Sequence, residues 1–398
     1  MAPHVRPVAR LVALASLLTL LVGGTLRAGA VDSAVTTNAV NYIHSQQISG
    51  TTPATGSGAW DSDPAFEFVT SEAVLAIGEG AQTSGTWSTS SALAAVQSTT
   101  NGQGTSPMPF LDLVAGGSLS PGKAAKLIVL VAEPLGLDPT SFDPAGNGSP
   151  VNLVTAMGSG NADGSFGPAT SFNQTLFAAL AKKLVDGSVP AATTNYIRTK
   201  QKPANGGWAF DADTGTNTDA DVDTTSLAIQ ALIAGGVAPA DPAVQNGLAF
   251  TASQQNGDGS WSAFGNVSSE STSRAILAIA SAGYDPNSSC WRDTVRPDLA
   301  GSPYGAPDSA LVALQGANGS IAGPGSFSPA FSTAQAVQGL EREWLPIASA
   351  ASQTCAGAPG APGAPGGAGD GSVPAGTPLG APAGSAATAV LGTPTFTG

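Results

Sequence analysis

Between residues 34 and 344 the chain alternates short apolar runs at helical spacing with polar, glycine-rich stretches. Residues 223–236 (DTTSLAIQALIAGG) lie on residues 270–283 (ESTSRAILAIASAG) when shifted by 47 positions. In each, apolar side chains recur three and four residues apart. Leu227, Ala231 and Leu232 do so in one, and Ile276, Ile279 and Ala280 in the other, so each predicts a helix with a broad buried face. The same order recurs six times along the chain: a first helix, a turn rich in Gly, Asn and Asp ending on an aromatic residue, a polar loop, and a second, more apolar helix. The first helices are predicted over residues 38–46, 91–98, 151–157, 192–199, 243–253 and 309–315. The second helices are predicted over residues 71–78, 123–132, 173–184, 224–234, 271–282 and 332–343. The second unit is the most degenerate, and the sixth carries an insertion around residues 291–307. Helices this short are not stable alone. Stacked neighbours would bury their apolar faces, as in other repeat proteins. Six helical hairpins can form an open superhelix or a closed ring, and the pattern is compatible with both.

The turn has a physical logic. In Gln255-Asn-Gly-Asp-Gly259-Ser-Trp261 the Asn-Gly and Asp-Gly pairs supply the left-handed conformations that end a helix. The tryptophan is expected to cover the joint between hairpins, with the glutamine against its ring. Gln201…Trp208 is the same motif with one extra residue, Gln47…Trp60 is stretched, and Asp163-Gly-Ser-Phe166 keeps only its end. Trp60, Trp208 and Trp261 are therefore read as structural residues rather than as a ligand cage.

The motif resembles the Q-x-x-x-G-x-W turn of the α/α-toroid superfamily, which includes squalene and oxidosqualene cyclases, protein prenyltransferase β subunits and transcobalamin-type carriers. The resemblance covers residues 34–344. It implies an all-α fold, an α/α toroid (an α6/α6 barrel) of six inner and six outer helices around a central cavity. Squalene-hopene-type cyclases carry a D-x-D-D-T motif where this chain has Asp221-Val222-Asp223-Thr224-Thr225. In those enzymes the middle aspartate protonates an alkene, supported by a carboxylate neighbour. Carried over by position, Asp223 is that acid and Asp221 the first carboxylate. Thr224 stands where the second of the adjacent pair would be. A carbocation cascade also needs aromatic faces, and aromatic residues make up only 6% of this chain. The zinc site of a prenyltransferase would need Asp, Cys and His, and the one histidine beyond the N-terminal leader is His44. Residues 222–236 also resemble a non-catalytic second-helix signature of the cobalamin carriers, which need a separate β domain to enclose their ligand.

Asp223 has a structural alternative as a helix N-cap. The equivalent slot holds Glu270 in the next unit and, by looser alignment, Phe68, Phe172 and Phe331 elsewhere. Phenylalanine cannot cap a helix. If the units close, these five residues form a circle of three phenyl rings and two carboxylates at one mouth of the cavity. That circle reads as a ligand-binding rim or as a plug. Residues 211–223 (DADTGTNTDADVD) place Asp211, Asp213, Asp219 and Asp221 at close intervals. Oxygen ligands at this density suit calcium, although the EF-hand spacing and its terminal Glu are missing. A solvated acidic loop is the alternative.

Composition sets the surroundings. Residues 1–30 read as a signal peptide: Arg6 and Arg10, then an apolar run over residues 11–24, then Ala28-Gly29-Ala30. Its removal, with Arg6, Arg10 and Arg27, takes the formal charge from −13 to −16. Such a chain is not expected to bind nucleic acid. Cys290 and Cys355 are expected to pair in an oxidising compartment, closing a loop of about 65 residues. Residues 356–398 (AGAPGAPGAPGGAG…) are too poor in bulky apolar side chains to fold and are expected to be a disordered tail. The expected organisation is a signal peptide over 1–30, a toroid over 31–355 and a tail over 356–398. The protein is expected to be a secreted or cell-surface monomer, with a possible association with the cell envelope. The leading expectation is a non-catalytic binder of a small apolar or amphipathic ligand or of a protein partner. The alternative is a terpene-cyclase-like or prenyltransferase-like enzyme with Asp223 as general acid.

Overall fold

The structure, a computed structural model, describes residues 33–82, 87–168, 171–342 and 344. The leader, the tail and Cys355 lie outside the described residues. So does half of the expected disulfide, whose other half, Cys290, opens a short helix.

The helices in chain order are α1 (Ser33–Ser45), α2 (Phe68–Gly80), α3 (Thr89–Ser98), α4 (Met108–Gly116) and α5 (Pro121–Leu127). A π-helical turn, Ile128–Ala132, carries α5 into α6 (Glu133–Leu135). There follow α7 (Leu153–Met157), α8 (Phe172–Asp186), α9 (Ala191–Thr199), α10 (Val222–Ala234) and α11 (Pro242–Ser253). The last are α12 (Ser269–Ser281), α13 (Cys290–Val295), α14 (Pro307–Ala313) and α15 (Pro329–Glu341). All twelve repeat helices are present. Additional to the periodic pattern are α4, α13 within the sixth-unit insertion, two 3-10 turns (Pro53–Thr55 and Pro297–Leu299) and a two-stranded hairpin. The hairpin pairs β1 (Trp261–Ala263) with β2 (Asn266–Ser268) through Phe264 and Gly265, both at positive φ. No helix among the described residues is long and apolar enough to cross a membrane.

The second helices form an inner ring. Around it run α2, α5 with its π-turn, α8, α10, α12 and α15, and α15 packs back against α2. The ring is therefore closed. Its walls are built from residues the sequence marks as apolar, such as Ala228, Ile229 and Leu232 on α10 and Ile276 and Ile279 on α12.

One hydrogen-bond scheme, repeated unit by unit, sets the register. A buried threonine in the first turn of an inner helix accepts the backbone N–H of the residue that ends the preceding turn. The pairs are Thr70 with Trp60, Thr175 with Phe166, Thr225 with Trp208, Thr272 with Trp261, and Thr333 with Ile321. The indoles of Trp60, Trp208 and Trp261 donate to the carbonyls of Ile43, Ile197 and Thr251 at 2.7, 2.8 and 2.8 Å. Each tryptophan thus ties the outer helix of its unit to the inner one.

The glutamine of the turn ties one unit to the next through its amide. Gln47 donates to Gly58 and to Thr99, Gln201 to Gly206 and Ala243, and Gln255 to Gly259 and Gly305. Gln315 completes the set with Gly319 and Val35. The sixth unit therefore carries the motif as Gln315…Gly319…Ile321, with isoleucine in place of the aromatic residue.

Candidate active site

The threonine register identifies the lumen-facing positions. Two residues before each threonine stand Phe68, Asn173, Asp223, Glu270 and Phe331. One turn further are Glu72, Phe177, Leu227, Arg274 and Gln335, and the next turn brings Leu75, Leu180, Gln230, Leu277 and Gln338. Spacings of four and seven keep one helix face. Accordingly, Leu75, Phe177, Leu180, Leu227 and Leu277 all line one small central cavity. Leu130, Gln230, Arg274, Gln338 and Trp344 complete its wall together with Val129.

The rim is partly as expected. Phe68 stacks on Phe331 with centroids 4.3 Å apart, and the Phe327 edge meets Phe331 at 6.1 Å. Phe172 is a correction. It lies one residue, hence about 100° of helix rotation, away from the slot; it is buried and packs against Tyr196 of α9. Asn173 takes its place. Glu270 is buried and fixed: Phe327 N–H donates to its carboxylate at 2.8 Å, and the hydroxyls of Ser332 and Ser268 also donate to it. It holds the loop leading into α15. Around the same mouth, Phe66, Phe210, Phe264 and Phe327 stay exposed in the loops that lead into the inner helices.

The N-cap role weighed for Asp223 belongs to Asp221 instead. Asp221 is the N-cap of α10, and its Oδ1 accepts the Thr224 N–H at 2.7 Å. Asp223 is not a cap. It lies in the first helical turn, and its Oδ1 is enclosed with no hydrogen-bond partner among the described residues. Burial pushes the Asp223 carboxyl up, against the opposing pull of Ser271 and Arg274, and Glu270 pushes with it. Burial and the adjacent Asp223 push Asp221 up to about 7. Both carboxyls are thus shifted toward the protonated form relative to solvent-exposed aspartates.

Below the rim an ion cluster crosses the lumen. Arg274 Nη2 donates to Glu72 at 2.9 Å, Lys126 Nζ stands 3.7 Å from Glu72, and the amides of Gln335 and Gln338 donate to the same carboxylate. Burial alone would raise Glu72. Arg274, Lys126 and the two amides outweigh it and hold the carboxyl below its usual range. Lys126 also lies over the Phe68 ring at 4.5 Å. The periodic reading missed this cluster, whose members come from four helices. One signal was present: Glu72, Lys126 and Arg274 are charges embedded in otherwise apolar second helices.

The acidic loop is organised differently from a calcium loop. Lys202 Nζ sits 3.1 Å from Asp213, whose carboxylate also accepts the N–H groups of Thr218 and Gly215. Asp211 accepts the Asp213 N–H and the Thr218 hydroxyl, Asp219 is exposed, and Asp221 caps α10. A cation does sit among these oxygens, and it is a lysine ammonium. Among the described residues, no group of three His, Cys, Asp or Glu side chains is placed to hold a metal ion.

Comparison with protein-family models and with curated proteins gives no match. Among solved structures, the type II terpene cyclase MstE from Scytonema in its apo form is similar, with a TM-score of 0.50 and 13% identity over 78% of this chain and 98% of that one. An Asp-to-Asn variant of the same cyclase, in complex with geranylgeranyl dihydroxybenzoate as substrate, also has a TM-score of 0.50 at 13% identity, over 78% of this chain and 97% of that one. The fold of this chain is the terpenoid-cyclase-type α/α toroid.

Proposed function

We propose that this chain is a terpene-cyclase-like enzyme whose lumen takes a small, largely apolar, alkene-bearing ligand, and that Asp223 protonates it. The observation that carries the reading is the Asp223 carboxyl: lumen-side in register, one oxygen enclosed and unpartnered among the described residues, and pushed by burial toward its protonated form. A carboxyl shifted toward its protonated form is what a general acid requires. In the step proposed, the Asp223 O–H bond breaks and the alkene π pair takes the proton. A carbocation and the Asp223 carboxylate result, and later loss of a proton from the cation restores the acid. The exposed phenylalanines of the mouth suit the approach of an apolar ligand. The likeness to a terpene cyclase that binds a geranylgeranyl compound supports the ligand class, at the level of fold.

The same reading makes the protein exported, with its leader removed near Ala30 and Cys290 bridged to Cys355. A non-catalytic carrier is the second reading. The observation favouring it is the ion cluster that crosses the lumen beneath the rim. Incubation with geranylgeranyl-bearing alkenes, followed by product analysis, separates the two. Turnover that disappears in Asp223→Asn supports the enzyme. Retention of the alkene without conversion, equal in both proteins, supports the carrier.

A further inference from the structure

Four charged side chains meet inside the ring: Glu72 on α2, Lys126 on α5, and Glu270 and Arg274 on α12. Their two anions and two cations balance. Asp223 of α10 stands beside them, outside that balance, in the slot that Glu270 fills on α12.

Arg274 has three carboxyls around it and is committed to one. Glu270 precedes it by four residues on the same helix, a spacing at which glutamate and arginine ordinarily pair. Asp223, on the neighbouring helix, feels the charge of both. Among the described residues, however, the one ion pair and the one hydrogen bond of Arg274 run from Nη2 to Glu72 at 2.9 Å. Glu72 is well fixed for this. Its carboxylate also accepts the amides of Gln335 and Gln338 of α15, and Lys126 Nζ stands 3.7 Å away.

A guanidinium has five N–H donors, so Arg274 keeps the capacity to pair elsewhere. Glu270 already accepts the Phe327 N–H and the hydroxyls of Ser268 and Ser332. Asp223 Oδ1 has no hydrogen-bond partner among the described residues. Without Glu72, Asp223 is where the guanidinium would turn. The other charges on the elements packed against α10 are placed or paired elsewhere. Asp221 caps the helix, and Lys182, Lys183 and Asp186 lie toward the far end of α8. Arg198 of α9, whose Tyr196 packs on Phe172, is held by Asp241, and Lys202 of the preceding loop by Asp213. Helix α11 has no ionisable side chain. A cation within about 4–6 Å of a carboxyl favours its ionised form roughly ten- to a thousandfold.

We propose that Glu72 is a positioning residue for Asp223: it holds the Arg274 guanidinium across the lumen and so keeps that cation off the acid. The role rests on the reading of Asp223 as the acid given above, whereas the contact itself needs no turnover.

The test is an NMR titration of the secreted, full-length protein labelled at the aspartate side-chain carboxyl carbon. The Asp223 signal is assigned as the one missing from Asp223→Asn. In Glu72→Gln, Asp223 should hold its proton at least about tenfold more weakly than in the parent. In Glu72→Gln/Arg274→Gln, which removes one charge of each sign, it should return to the parent value. Glu72→Asp draws the carboxylate back by one methylene and should give a smaller change in the same direction. It carries the comparison if Glu72→Gln does not fold. Lost stability with the Asp223 titration unmoved would leave Glu72 a structural residue and overturn the proposal. A weakened Asp223 proton that persists in the double variant also overturns it, because the effect would not run through Arg274. The readout is protonation, so a shifted titration in a protein that converts no alkene sustains this contact while removing the enzyme reading. Turnover with an unmoved titration does the reverse.

Discussion

The Gln315 side-chain amide donates to the backbone carbonyl of Val35 at 2.8 Å, joining residues 280 positions apart. It is the same bond that Gln201 makes to Ala243 and Gln255 to Gly305, each reaching from one unit to the next. Between the sixth unit and the first it becomes the seam of the ring. Gly319 lies flush against Asn38 at this seam.

The seam glycine should be intolerant of a side chain. Gly319 has φ +90°, and an added Cβ would stand 2.3 Å from the Asn38 carbonyl oxygen. Gly319→Ala is expected to cost about 2–4 kcal/mol in urea unfolding. Gly301 has φ +80° and open space around it, so Gly301→Ala should cost only about 1 kcal/mol. Equal costs would mean that backbone strain, and not contact across the seam, sets the requirement.

The threonine register predicts a shared cost. Thr225→Val and Thr272→Val preserve shape but leave the Trp208 and Trp261 backbone N–H groups buried without an acceptor. Each should lose about 1–3 kcal/mol, measured by the same unfolding. A near-neutral result for either would show that the hydroxyl is not what holds the turn.

Asp221 should make stability fall toward neutral pH. Its carboxyl titrates at 3.8 ordinarily and at about 7 when folded. Between those values the folded state holds a proton that the unfolded state has released, so stability declines as pH rises and levels off above the folded value. Asp221→Asn keeps an N-cap acceptor and removes this titration. At about pH 8 it should exceed the parent in stability by roughly 1–3 kcal/mol, and the gap should close near about pH 3. A constant gap across that range would count against the shifted carboxyl.

Glu72 should behave in the opposite sense. Its carboxyl is held below the ordinary 4.5, so the stability it supplies is present above that value and lost as pH falls through the folded one. Glu72→Gln leaves Arg274 and Lys126 without their shared anion and should cost about 3–5 kcal/mol at neutral pH. The acid limb of its stability profile should be flatter than the parent's. Thermal unfolding across pH reads both effects.

Local sequence determined the helices and the turns. The three-and-four spacing of apolar residues marked the inner helices, because a helix with one broad apolar face has to bury it. Asp-Gly before Trp261 marked a joint, because Gly259 takes the left-handed conformation there, whereas Gly257 of the Asn-Gly pair does not. The sequence also singled out Asp221 and Asp223, but placed the possible cap at Asp223, whereas Asp221 caps α10. That depends on where the helix begins in three dimensions. Closure of the ring was decided by tertiary structure, since the Gln315–Val35 bond joins opposite ends of the repeat array. The rim residue of the third unit was decided there too. One position along a helix turns a side chain by about 100°, enough to place Phe172 in the core and Asn173 at the lumen. The cluster of Glu72, Lys126 and Arg274 was the least legible feature. Its members lie on separate helices, and only closure of the ring brings one anion between two cations inside an apolar lumen.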